Sequence, residues 1–215
     1  MPKIPALLLA ASLQLISTTL SAQALHSGQY EQLLLAVTPD GYVEGHYYDE
    51  MPGATRITCS FSMSGPVDAM GHATLVTRAP TGFTGKLQAD GDGVAFSVAA
   101  ATEMPGCGML LPPEINSGLA LSLVEPKQWI GMARVKEPRA HLYQTPQEQA
   151  AHARYLVRAD VVGLLACTAS WCQVEFISKS GDSHLGWVKQ QHLINLRDLG
   201  ASRPSSIPQL SWRVN

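Results

Sequence analysis

The nine residues RITCSFSMS, Arg56 to Ser64, read as one strand. Ile57, Cys59, Phe61 and Met63 fall on one side and Thr58, Ser60, Ser62 and Ser64 on the other, the period-two alternation of a strand with one apolar face. Cys59 therefore faces a core. Outward from this strand the same habit recurs at roughly ten-residue spacing, which marks an all-β unit. Tyr30 to Val37 alternates through Leu33, Leu35 and Val37. Pro39-Asp40-Gly41 then supplies turn chemistry before Tyr42 to Tyr48. Further strands are expected at His72–Arg78, Phe83–Ala89, Val94–Ala99 and Leu119–Val124, with Asp90-Gly91-Asp92-Gly93 turning between two of them. Helical periodicity is nearly absent.

The N-terminus fixes the expected compartment. Lys3 precedes an apolar run from Ile4 to Ile16, and a polar segment then ends in Ala22-Gln23-Ala24, the layout of a secretory signal removed after Ala24. The run is shorter than the roughly 20 residues that span a bilayer, so no stable membrane insertion is expected after cleavage. A periplasmic or secreted product of about 190 residues follows. In an oxidising compartment its four cysteines, Cys59, Cys107, Cys167 and Cys172, are expected to form two disulfides, one in each half of the chain.

The stretch ACTASWCQVEF, Ala166 to Phe176, sets two cysteines around a short turn. Val161 to Ala166 and Cys172 to Ile177 are β-rich and should pair as a hairpin, which places Cys167 opposite Cys172 as a staple. A redox pair would need C-x-x-C at a helix N-terminus, and zinc would need further ligands at ligand spacing; neither pattern is present. No metal or other cofactor is expected.

From Ile130 the chain changes character. Ala140 to Pro146 (AHLYQTP), Tyr155 to Val162, Trp171 before Val174, and Gly186-Trp187-Val188 occur in the order and spacing of the bacterial SH3-like domain family, which this part of the chain resembles. Ala159 departs from the pattern, since the family more often has glycine there, and the pair Cys167 and Cys172 is also unusual. The resemblance implies an exported protein whose SH3-like barrel contacts cell-wall (peptidoglycan) peptide or an envelope protein through aromatic residues between its loops. The ligand candidates are Trp171, expected to be exposed at the hairpin tip, then Tyr143, with Tyr155, Glu175 and Trp187 behind them. Trp187 also reads as core.

The expected organisation is a signal over residues 1–24, an N-terminal β-sandwich or barrel-like domain over 28–125, an SH3-like domain over 130–196 and an extended tail over 197–215. The net charge of −2 provides no basic face for nucleic acid. Catalytic constellations do not assemble. Gly181-Asp182-Ser183-His184 reads as a polar turn rather than a triad, and Ser62-Met63-Ser64-Gly65 lacks the glycine of a nucleophile elbow. Asp90 to Gly93 would need a carboxylate where Ala101 stands to bind calcium. The sequence reading is thus a non-enzymatic binding protein. Its rival is an inhibitor or immunity protein that inserts the Pro105–Pro113 loop into a toxin or wall hydrolase.

Overall fold

A computed structural model describes residues 24–53, 55–148 and 151–200. The segment read as a signal, up to Gln23, and the chain beyond Gly200 lie outside them. The described chain is all-β: two antiparallel sheets, with short 3-10 turns and no α-helix among these residues.

The first sheet is a meander of β1 (Gly28–Tyr30), β2 (Leu33–Val37), β3 (Tyr42–Met51), β4 (Ile57–Pro66), β5 (Ala73–Ala79), β6 (Thr81–Asp90) and β7 (Gly93–Val98), completed by β8 (Leu119–Leu121) and β9 (Leu123–Pro126). β8 pairs with β7 while β9 pairs with β1. Only Ser122 separates those two strands, so one segment reaches both ends of the sheet and nearly closes it into a barrel. Closure removes the exposed edges that an open sheet would present.

The interior follows from the alternation. Tyr47, Phe61 and Phe96 stack at centroid distances of 5.1 to 6.3 Å, surrounded by Leu33, Leu35, Met63, Leu75 and Leu87. Between β7 and β8 the chain makes a long excursion whose Met104, Cys107, Leu111 and Ile115 join the same core. Cys107 is bonded to Cys59 on β4. Gly106 allows the close approach, since a side chain there would meet the Thr58 carbonyl at 2.0 Å, and its φ of +79° is left-handed.

Two of the expected strands are each divided in the structure. The stretch from Tyr30 to Val37 is two strands, broken at Glu31-Gln32, where Glu31 takes a left-handed φ of 33°. That turn carries neither glycine nor asparagine, so nothing in the residue types announced it. Leu119–Val124 is likewise divided at Ser122, where the segment passes from one end of the sheet to the other.

The second sheet comprises β10 (Gly131–Val135), β11 (Arg139–Tyr143), β12 (Ala151–Val157), β13 (Val161–Cys167), β14 (Trp171–Ile177), β15 (Ser183–Lys189) and β16 (Leu193–Asn195), in the order β12-β11-β15-β14-β13-β10-β16. Its core is Ala133, Val135, Leu142, Leu156, Val162, Val174 and Val188, closed at one end by Cys172. Cys167 and Cys172 face each other across the β13–β14 hairpin and are bonded, as the staple reading expects.

A third apolar cluster joins the sheets: Ala36 from β2, Trp129 and Met132 from the linker and β10, Val161 from β13, and Leu196 and Leu199. Trp129 lies against Gly163, where an added Cβ would meet the indole at 2.3 Å. Polar groups complete the contact. Glu44, 2% exposed, accepts the Met132 N–H and the Arg197 Nε–H, each at 2.6 Å. Arg197 also donates to both oxygens of Asp40 and stands over the Tyr42 ring. The segment expected as an extended tail from Arg197 thus begins docked, because Leu196–Asp198 form a 3-10 turn that this ion pair fastens to the barrel, and its part beyond Gly200 lies outside the described residues. On β4, Ser62 and Ser64 are covered and hydrogen-bonded to His46 and Arg78.

The two disulfides are expected to differ in weight. The Cys59–Cys107 bridge spans 48 residues and the hairpin bridge 5. Loop-closure entropy gives about 4 kcal/mol for the first and about 2 for the second. Replacing each pair with serine and measuring urea unfolding should show the larger loss of stability at Cys59 and Cys107.

Candidate functional site

Trp171 opens β14, one residue before the buried Cys172, so strand alternation turns its indole away from the core of the second sheet. The hairpin turn holds it there. Thr168 Oγ1 accepts the Trp171 N–H at 3.1 Å, and the Thr168 N–H donates to the Trp171 carbonyl at 2.7 Å. Trp171 is half-buried, and the tip of the hairpin is Thr168–Ser170 rather than the indole. Its cover is Tyr143, whose ring meets it edge to face at 4.9 Å and 80°. Such pairs add about 0.5–1.5 kcal/mol beyond the area they bury.

Lys189, the register partner of Trp171, places its ammonium 6.0 Å from the indole centroid and 2.5 Å from Glu148 Oε1. The hydrogen bond and charge of Glu148 push the Lys189 pKa up, and Lys189 holds the Glu148 carboxyl below its usual range. A cleft of about 380 Å³ opens beside them, lined by Glu148, Ala169, Ser170, Trp171, Lys189 and Gln191. It offers one aromatic wall and a rim carrying both charges. Chemically that suits an extended peptide with a flat or apolar side chain between polar groups. Neither Lys189 nor Glu148 was among the sequence candidates. Lys189 was within reach, because it lies two residues beyond Trp187 on one strand and shares its face. Glu148 comes from the irregular segment after β11 and left no periodic signal.

The other candidates distribute differently. Trp187 is half-buried rather than core, on β15 opposite Gln173 and Tyr143. Tyr155 stands 42% exposed on the edge strand β12, with the Arg139 guanidinium over its ring at 4.4 Å. Among the described residues no ring contact joins Tyr155 to the Tyr143–Trp171 pair.

Glu175, expected as a ligand contact, is instead the anchor of the linker. It is 7% exposed and accepts Trp129 Nε1 at 2.7 Å, Lys127 Nζ at 2.7 Å and the Ser183 hydroxyl at 2.6 Å. Both carboxylate oxygens are engaged inside the protein. Burial acts to raise its pKa, but the donors Lys127, Ser183 and Trp129 outweigh it and hold the group below its usual range.

Ala159 has a φ of +78°, in the left-handed region that side chains disfavour. This is the position at which the sequence departs from a glycine.

No protein-family model matches the chain, no curated protein matches it, and no solved structure matches it. Among the described residues there is no cluster of three or more His, Cys, Asp or Glu side chains that could hold a metal ion.

Two outcomes are expected. Ala159→Gly should raise the unfolding free energy by about 0.5–1 kcal/mol, because the left-handed strain removed exceeds the backbone entropy that glycine adds. Glu175→Gln should destabilise the protein at neutral pH by about 1–3 kcal/mol. Glu175 has a depressed folded pKa, so its contribution is present above the unfolded value of about 4.3 and lost as pH falls through the folded one. The gap between wild type and Glu175→Gln should therefore close in acid-range melts.

Proposed function

We propose that this is an exported, non-enzymatic binding protein whose second sheet, similar to bacterial SH3-like domains, holds an extended peptide in the cleft beside Trp171. The peptide is a cell-wall stem or a segment of an envelope protein. The observation that carries this reading is Trp171, braced by Tyr143, which is buried and does not itself line the cleft, with Lys189 and Glu148 at its rim. A rigid aromatic platform flanked by one cation and one carboxylate suits a short chain that carries both a free amine and a free carboxylate. The left-handed backbone at Ala159 supports the resemblance, because a family glycine there would be explained by the same geometry.

The compartment is supported independently. Two disulfides among four cysteines, with none free, point to an oxidising environment. No described helix is long and apolar enough to cross a membrane.

The inhibitor reading retains one specific support. In the excursion that Cys107 fastens to β4, Met109 is 70% exposed on a segment whose Cys107 and Leu111 are buried. A clamped loop with a projecting apolar side chain suits insertion into a cleft, while the buried residues of the loop complete the barrel core.

The test is co-sedimentation of the oxidised chain with purified peptidoglycan sacculi beside Trp171→Ala. Saturable pelleting weakened about thirty-fold by the substitution is expected for a buried aromatic anchor. Absence of pelleting would set wall recognition aside in favour of a protein partner.

A further inference from the structure

A larger cleft, of about 710 Å³, runs between the outer wall of the barrel and the second sheet, on surfaces that the Trp171 cleft does not touch. The barrel contributes Glu31, Tyr48, Asp49 and Glu50, and the second sheet contributes Arg158, Asp160 and Lys179. Four carboxylates thus face two fixed cations. The remaining ionisable lining group is His46, whose pKa burial and the nearby Arg134 charge push down to about 4, so it adds no positive charge at neutral pH. Carboxylates outnumber cations among the lining residues, although Arg56 and Arg134 add positive charge from just outside the cleft.

One place in it already holds an ammonium. Lys179, in the turn between β14 and β15, sets its Nζ 2.6 Å from Glu50 Oε2 and 4.8 Å from the centroid of the Tyr48 ring. The Tyr48 hydroxyl donates to the same carboxylate oxygen, and Arg56 Nε lies 3.9 Å from it. Carboxylate, phenol and ring face are all on the barrel, and the ammonium alone comes from the second sheet. A charge-assisted hydrogen bond combined with an aromatic face is the arrangement by which proteins recognise alkylammonium groups.

The occupant is weakly held. The Lys179 side chain is 57% exposed, and ion pairs so open to solvent contribute little. An external ammonium on an extended chain that makes further contacts along the cleft has more to gain in the same seat. Asp49 and Glu31 both lie near the Tyr47 phenol, which burial first and then their charges push up to about 12. Neither carboxylate makes a hydrogen bond or ion pair to another described side chain. Glu31 also sits at the strained left-handed turn, a conformation that concentrates at binding sites.

We propose that this cleft is a second binding site, for a peptide segment bearing a lysine-type primary ammonium, and that Lys179 occupies its cation seat while the site is empty. The volume falls within the range of small-ligand sites and accommodates a few residues of extended chain. Lys179 then acts as an intramolecular competitor, so its removal strengthens binding of the external amine. This assignment is independent of the Trp171 cleft.

The probe is the capped pentapeptide acetyl-Gly-Lys-Gly-Lys-Gly-amide, titrated at low ionic strength into the oxidised chain and followed by amide chemical shifts. Saturable shifts at Tyr48, Asp49 and Ser178 are expected. The dissociation constant should tighten about three-fold in Lys179→Ala, the factor expected when a tethered competitor held only by a solvent-exposed ion pair is gone. It should weaken when Glu50→Gln is added, and a peptide with norleucine in place of lysine should not bind. Lys179 and Glu50 are surface groups, so the spectra of the variants report whether the fold is retained, and Lys179→Met provides a second removal of the charge. Trp171→Ala should leave this binding unchanged. Equal affinity in wild type and Lys179→Ala, shifts mapping away from the cleft, or no saturation in a folded Lys179→Ala protein would each overturn the proposal.

Discussion

Trp129 lying flat on Gly163 is the contact on which the relation of the two sheets depends. The indole occupies the space where a side chain on β13 would otherwise stand, and its N–H is satisfied by Glu175 from β14. The linker around it is fixed from the barrel side as well. Ser27 donates its hydroxyl to the Trp129 carbonyl and accepts the Val37 N–H, while the Lys127 N–H donates to the Ser27 carbonyl. A four-residue connection is thereby turned into a shared piece of both units. A buried Trp N–H needs a partner, and supplying one with a carboxylate brings Lys127 into the same site to balance the charge.

Glu44 performs the reciprocal task from the barrel. Its side chain leaves β3 on the face away from the barrel core and accepts the backbone N–H of Met132, with Arg197 closing over it. The two carboxylates therefore cross the interface in opposite directions, and each is neutralised by a cation beyond the strands that carry it. Asp40 is held well below the usual carboxylate range by the same Arg197, first through its hydrogen bonds. The interface thus combines a small apolar cluster with fully engaged charges. That composition leaves the polar flanks of the interface free to form the cleft around Glu50 and Lys179.

The sequence made much of the barrel legible, because strand alternation and turn residues are local properties. Cys59, Phe61 and Met63 face inward as their spacing requires, and the hairpin staple follows from two β-rich runs separated by a short turn. The failures lie where burial on the second face of a strand decides the outcome. Ser62, Ser64 and Glu175 belong to polar faces by alternation, yet they are buried and their groups are paired within the protein. Arg197 looked like the start of a polar tail because its partners, Asp40 and Glu44, are more than 150 residues away.

The candidate site divides along the same line. Trp171 and Tyr143 were identifiable as aromatic residues near loops, but their mutual contact, and the arrival of Lys189 and Glu148 beside them, depend on the pairing of β11, β14 and β15. The sequence by itself determined the all-β class, the inward face of β4 and the hairpin bridge between Cys167 and Cys172, since these depend on periodicity, residue type and short separation. Only the tertiary structure decided which polar faces are covered, which carboxylates are structural and where the clefts open. Those outcomes depend on how two sheets meet, and the groups that meet there are brought together by desolvation and charge over distances that no local pattern records.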